Sequence, residues 1–215
     1  MNAEMLLPEP RDNLVYIVDD DVDVRVALEA LLQSVGFQVM TFPSSEEFLA
    51  RVPISARACL VLDVRLTGQS GIALQNHLMR LDAKLPIIFI SGHGDIPMAV
   101  RAIKAGATEF LTKPLRPQEL IDAIHVAFEK YDERSLVDRA LASAKTRFDG
   151  LTAREKDVMA LVTAGYGNKE TANILGISEP TVKAHRGQVM KKMDAESLPD
   201  LVRLAQELEL PIKDR

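Results

Sequence analysis

Apolar and polar positions follow two different textures along the chain. In the first part, short apolar runs bounded by turn residues alternate with stretches whose apolar positions recur every three or four residues. LVYIV (14–18), QVMTF (38–42), CLVL (59–62), PIIFI (86–90) and TEFL (108–111) read as strands. Between them lie helical patterns. VRVALEALLQSVG ends on Gly36, a C-terminal stop signal. Ser44-Ser45-Glu46-Glu47 has the form of a capping box opening a short helix. IALQNHLMRL follows Gly71, and Asp95-Ile96-Pro97 caps and starts a helix that Gly106 closes. Five strands alternating with helices predict an α/β fold, a doubly wound parallel sheet covered on both faces. Functional side chains in such a sheet lie outside the carboxyl ends of its strands.

After Pro117 the texture becomes wholly helical. Leu120, Ile124, Ala127, Phe128 and Tyr131 fall on one stripe, continued less cleanly by Leu136, Ala140, Leu141 and Ala144. No proline or glycine interrupts Gln118 to Asp149, so one long helix is expected to run on as a helical linker. Two helices broken near Asp132-Glu133 are the alternative. From Leu151, LTAREKDVMALVTAG, NKETANILG, SEPTVKAHRGQVMKKM and SLPDLVRLAQEL predict four short helices, with Gly165, Gly176 and Asp194 at the joints. The expected organisation is a domain over 12–130, a linker over 131–147 and a smaller all-α domain over 148–215.

Composition narrows the class. A chain of 215 residues fits one or two domains. Hydrophobic residues make up 47% and charged residues 27%, a globular balance. The net charge of −5 lies in residues 1–130, where 12 basic residues face 17 acidic ones. Whole-chain charge therefore gives no sign of nucleic acid. The single Cys59 excludes an internal disulfide, sits in an apolar run and reads as a core residue. No apolar stretch reaches the ~18–20 residues of a membrane span. The N-terminal MNAEMLLPEPRDN has neither a basic n-region nor a long apolar h-region and reads as a frayed tail. The expected address is the cytoplasm.

The strand ends carry the chemistry. Asp19, Asp20 and Asp21 end the first strand, Asp63 the third and Ser91 the fourth, while Lys113-Pro114 follows the fifth. In a parallel sheet all of these face one edge. Carboxylates so close repel and raise one another's pKa. A hard divalent cation relieves that, and Mg²⁺ takes few carboxylates together with water and phosphate oxygens. A carboxylate beside Mg²⁺ can attack phosphorus and form an aspartyl phosphate. Lys113 would pair with phosphoryl oxygens, and the Ser91 hydroxyl would donate to another. His77, His93 and His125 show no metal-ligand spacing and read as surface or interface residues.

Asp19-Asp20, Asp63, Ser91 and Lys113-Pro114, in this order, resemble the receiver domain of two-component response regulators, a flavodoxin-like five-stranded fold. The resemblance implies that Asp63 is the phosphoacceptor. It implies Mg²⁺ or Mn²⁺ on Asp20, Asp63 and the backbone carbonyl of Arg65, with Asp19 assisting directly or through water. Lys113 would precede a cis Pro114, and Phe110 would be an aromatic switch coupled to Ser91. Where the family usually has a proline four residues after the phosphoacceptor and an apolar residue two later, this chain has Thr67 and Gln69. A looser loop there puts the phosphoryl lifetime and the ease of phosphorylation in question. Asp21-Val22-Asp23-Val24 also matches the DxDxV signature of Mg²⁺-dependent aspartyl-nucleophile phosphatases, a second reading that leaves Asp63 and the C-terminal helices unexplained.

Residues 151–215 resemble the LuxR-type helix-turn-helix. Gly176-Ile177-Ser178 forms the turn, Ser178 is a suitable N-cap and Pro180 sits in the first turn of the next helix. Val182, Val189 and Met193 recur on one side, and His185 falls toward it. Lys183, Ala184, Gly187, Gln188 and Lys191 lie on the other. Between Pro180 and Met193 there are four basic residues, Lys183, Arg186, Lys191 and Lys192, and no acid, a stripe suited to a duplex backbone. Lys183 is expected at a base edge, with guanine the favoured target, and Ala184 at a thymine methyl. Asn168, Lys169 and Thr181 are expected at phosphates. Leu198, Leu201, Val202 and Ala205 on the last helix are expected to pair with a twofold mate.

The whole pattern is similar to NarL/FixJ-type response regulators, most of all the FixJ-like ones, through SGHGDIPMAVRAIKAGATEFLTKP and SLPDLV. The resemblance implies a phosphorylation-switched transcriptional regulator, not an enzyme. It implies a sensor histidine kinase, double-stranded DNA with a twofold operator and a homodimer when phosphorylated, and no membrane. The competing reading is a phosphorylation-independent DNA-binding dimer whose receiver is an interaction module.

Overall fold

A computed structural model describes residues 13–52, 57–92 and 96–210. The N-terminal tail, the Asp95 cap and His93 lie outside the described residues. The chain divides into two compact units between Arg134 and Ser135.

The first unit holds β1 (Leu14–Val18), α1 (Val22–Ser34), β2 (Gln38–Phe42), α2 (Ser45–Arg51), β3 (Ala58–Asp63), α3 (Gly71–Arg80), β4 (Ile87–Ser91), α4 (Ile96–Lys104) and β5 (Glu109–Thr112). The first turns of α5 (Pro117–Asp149) also belong to it. All strands pair in parallel, in the order β2-β1-β3-β4-β5. Strand alternation divides their side chains between two cores. Tyr16, Val18, Leu60, Leu62 and Phe89 pack on α2, α3 and α4 through Phe48, Leu74, Leu78 and Ala102. Val15, Ile17, Val61, Ile88 and Ile90 pack on α1 and α5 through Leu28, Leu32, Leu120, Ile124 and Phe128. Cys59 is buried in this second core, and burial pushes its thiol pKa up.

Local signals place most of the ends. Gly36 and Gly106 both adopt φ of 89°, the left-handed region that closes α1 and α4. Ser44 caps α2 by accepting from Glu47 N–H. The expected reciprocal half of that capping box is not made. The Glu47 carboxylate instead accepts from Arg51 one turn on, at 2.6 Å. α5 is one unbroken 33-residue helix through Asp132 and Glu133. Arg57, just before β3, grips Asp132 with two guanidinium nitrogens at 2.7 and 2.5 Å and lies over the Phe128 ring.

The second unit is helical: the end of α5, then α6 (Ala153–Thr163), α7 (Asn168–Leu175), α8 (Glu179–Met193) and α9 (Leu198–Glu207). Its core joins Ala144 of α5 to Val158, Met159 and Val162 of α6, Val182, Val189 and Met193 of α8, and Leu201, Leu204 and Ala205 of α9. Gly165, Gly176 and Asp194 take positive φ at the three joints. Leu201 and Ala205, expected at a pairing face, are buried in the domain's own core. Leu198 and Val202 stay half-buried.

Glu155 is the polar centre of this unit. Its carboxylate is buried, closes a capping box with Thr152, and accepts from Lys192 Nζ at 2.7 Å. The Lys192 bond and the Thr152 backbone N–H hold its pKa down at about 2. A depressed carboxylate stabilises the fold above its ordinary pKa of 4.5 and loses that contribution as pH falls toward 2. Glu155→Gln is therefore expected to lower the melting temperature at pH 7. The gap to wild type should close between about pH 5 and pH 2, followed by circular dichroism.

Candidate functional site

The carboxyl ends of β1, β3, β4 and β5 share one edge of the sheet. Asp19 follows β1, Asp63 ends β3, Ser91 ends β4, and Lys113 comes directly after β5. The connections reverse direction between β1 and β3, where a crevice opens in sheets of this kind. Asp19, Asp20 and Asp63 each present a carboxylate oxygen, all within 4.8 Å of one another. Lys113 Nζ donates to Asp19 Oδ2 at 2.7 Å and to Asp63 Oδ2 at 2.5 Å. The backbone N–H groups of Asp21 and Arg65 donate to the remaining oxygens, Asp19 Oδ1 at 2.9 Å and Asp63 Oδ1 at 2.8 Å. The peptide bond from Lys113 to Pro114 is cis.

Burial differs sharply across the group. Asp19 is fully buried and Asp63 nearly so, whereas Asp20 is exposed. Burial pushes the Asp19 pKa up against the opposing Lys113 bond. Burial alone would lower Lys113, but its bonds to Asp19 and Asp63 outweigh it and the net shift is upward. Asp20 is lowered, chiefly by a hydrogen bond from the Thr67 hydroxyl. Three carboxylates against one ammonium leave negative charge in excess. Clustered hard oxygens with one exposed member fit a small divalent cation that keeps part of its water.

Other candidates at this edge divide. Ser91 is buried, and its backbone carbonyl accepts from Lys113 N–H at 2.8 Å. Phe110 is half-buried, tilted against Phe89 with ring centroids 6.3 Å apart. Asp21 is the N-cap of α1, accepting from Asp23 and Val24 N–H groups, and Asp23 lies in the helix's first turn. Asp21 and Asp23, the pair of the DxDxV phosphatase reading, thus belong to a helix start, while the clustered acids are Asp19, Asp20 and Asp63. His77 is half-buried, and the exposed His125 lies against the Phe37 ring. Two contacts at the site escaped the sequence reading. Gly71 starts α3 so close to the site that a Cβ there would sit 2.2 Å from the Asp63 carbonyl oxygen, so only glycine fits. Thr67 donates to Asp20 Oδ2 from its backbone N–H, at 3.0 Å, and from its hydroxyl. A polar residue in a loop gave no signal of either contact.

In the second unit α8 buries Val182, Val189 and Met193 and exposes Lys183, Ala184, Gly187, Gln188 and Lys191. Ser178 caps the helix. A Cβ added at Gly187 would meet nothing within 4 Å. His185 is half-buried. The basic stripe is smaller than its residue count. Lys192 is held by Glu155, and Arg186 donates to Asn168 Oδ1 at 3.2 Å. Lys183 and Lys191 remain exposed, Lys183 with only a helical neighbour, Glu179, at 3.4 Å. Lys169 and Thr181 are exposed as well, and the Thr181 hydroxyl pairs with Ser178.

Comparison with known proteins agrees with both units. Residues 15–125 match the family described as response regulator receiver domain, and residues 149–205 match bacterial regulatory proteins of the luxR family. Nodulation protein W of Bradyrhizobium diazoefficiens is 49% identical over 91% of this chain and 86% of its own. The transcriptional regulatory protein FixJ of Rhizobium meliloti is 42% identical over 90% of this chain and 95% of its own. The solved response regulator StyR superposes with a TM-score of 0.79 at 44% identity, over 91% of this chain and 99% of that one. Among the described residues no helix is long and apolar enough to cross a membrane. With a receiver match over the unit that carries the acid group, a luxR-family match over the helical unit and relatives that align along nine-tenths of its length, the chain belongs to the NarL/FixJ family of response regulator transcription factors.

Proposed function

We propose that Asp63 accepts a phosphoryl group from the phosphohistidine of a sensor histidine kinase, and that this switches DNA binding by the C-terminal helices. The observation that carries the reading is Lys113 Nζ set between Asp19 and Asp63, with Asp20 completing the acid group. An Asp63 oxygen attacks phosphorus; the new P–O bond forms as the P–N bond breaks, and the imidazole leaves with its electron pair. Lys113 is in place to pair with a phosphoryl oxygen, and the Ser91 hydroxyl donates to another. Asp20, Asp63 and the Arg65 carbonyl would hold Mg²⁺ or Mn²⁺, with Asp19 directly or through water. When bound, the cation supplies the positive charge that lets an anionic phosphoryl group approach these acids.

The modification adds about −1.5 to −2 charge beside Ser91. Phe110 turns inward as Ser91 turns to the phosphoryl group, which biases an existing two-state equilibrium. The face it controls includes α4, where Ile96, Val100 and Ile103 are exposed at 80, 45 and 43%. Covering these in a homodimer brings two copies of α8 to half-sites about 10 bp apart. A DNA reader of this kind works in the cytoplasm.

The test is gel-filtration mass with Mg²⁺, with and without acetyl phosphate, beside an intact-mass measurement. A monomer-to-dimer shift together with one added phosphoryl group is the expected result. A dimer at all conditions, with no phosphoryl group gained, would favour the phosphorylation-independent reading.

A further inference from the structure

Each acid of the strand-edge group is anchored through one oxygen by a backbone N–H, but Asp20 is anchored differently from the others. Asp19 and Asp63 take their N–H bonds from residues two positions along the chain. Both turn the second oxygen to Lys113. Asp20 takes its bond from Thr67, 47 residues away, and takes the Thr67 hydroxyl on the same oxygen. Asp20 is also the exposed member.

A carboxylate oxygen has two lone-pair positions in its plane. With both positions of Oδ2 used by Thr67, Oδ1 is left to serve the acid group. We infer that Thr67 is a positioning residue for the divalent cation: its two donors hold Asp20 so that Oδ1 is presented to the site shared with Asp63. The inference rests on the metal reading of the acid group. It also changes the meaning of Thr67. A proline there would carry neither donor. The threonine, in place of the family's usual proline, substitutes a side-chain latch for a stiff loop.

Metal sites depend on such outer partners, whose loss typically lowers affinity about 10- to 100-fold. Mn²⁺ serves as the probe, with the free ion counted by electron paramagnetic resonance in the unphosphorylated full chain. Thr67→Val keeps the shape and the backbone N–H but removes the hydroxyl. It is expected to weaken Mn²⁺ binding by about tenfold. Thr67→Ser restores the hydroxyl and should recover most of the affinity, which a purely steric role would not do. Equal or tighter binding by Thr67→Val overturns the inference, since the hydroxyl would then be idle or a competitor for Asp20. Asp20→Asn separates the two levels. If it abolishes binding while Thr67→Val does not weaken it, only the role of Thr67 falls. If Asp20→Asn binds Mn²⁺ as well as wild type, the metal reading falls with it.

Discussion

Asp63→Asn takes up no phosphoryl group from acetyl phosphate and keeps its unphosphorylated elution volume at every Mg²⁺ concentration, while retaining the wild-type fold. The loss is complete because the carboxamide oxygen is neutral and a poor nucleophile toward phosphorus. Retention of the fold follows from the contacts. Asn keeps an Oδ1 that can accept from Arg65 N–H, which donates at 2.8 Å in the wild type. Lys113 keeps its bond to Asp19 at 2.7 Å. The β3 backbone is unaffected, with Asp63 in register with Ile90 of β4. The variant also reduces three carboxylates around one ammonium to two, relieving repulsion at a site whose buried Asp19 already bears the penalty of desolvation. The relief is set against the lost Lys113–Asp63 ion pair, because the Asn amide nitrogen replaces the oxygen facing Lys113, so thermal stability without metal is expected to stay close to that of wild type. Intact mass and a melting curve check both halves. A phosphoryl group on the variant would move the acceptor to another residue, and a collapsed melting curve would make Asp63 structural.

The acids at the strand ends were legible because two independent signals meet there. Runs such as LVYIV and CLVLD mark buried parallel strands by their unbroken apolar character, and an acid ending such a run has no packing role. The shared strand direction then brings distant residues to one edge. What escaped was every contact that depends on which neighbour fills a space. The Thr67 bond to Asp20 crosses between two loops. Glu47 answers to Arg51 rather than to its own cap, because exposed side chains choose among partners of similar energy.

The same limit governed the C-terminal helices. A 3.6-residue period shows that Leu201 and Ala205 share an apolar face, and it is silent on whether that face meets its own domain or a second copy. Here it meets Val158, Val189 and Met193 in the domain's own core. Counting four basic residues on α8 measured the sign of the stripe and missed that Lys192 neutralises buried Glu155. The exposed remainder of the stripe is Lys183 and Lys191.

Lys183→Ala is expected to lower affinity for the specific operator by about tenfold to a hundredfold, while affinity for random duplex falls far less. The argument begins with placement. Ser178 and Pro180 fix the start of α8, so Lys183 lies in its second turn, the end of a recognition helix that reaches base edges. Its side chain is 63% exposed, on the side opposite Val182 and Val189. A lysine at guanine O6 and N7 discriminates by about 1–3 kcal/mol, whereas a phosphate contact contributes without regard to sequence. Losing the i,i+4 pair with Glu179 is a small confounder, worth about 0.2–0.5 kcal/mol of helix stability. Lys191→Ala provides the contrast: it should weaken specific and random duplex alike and reduce the salt slope by about one. Lys192→Ala should act differently again, lowering the melting temperature of the domain by stripping Glu155 of its partner. The measurement is selection from a random duplex library, followed by anisotropy titrations of the recovered site over a range of salt. For Lys183→Ala the recovered sequence should relax at one position in each half-site. If the preference survives at every position, Lys183 is a phosphate contact and the base reading belongs to Gln188 or another residue of the same exposed face.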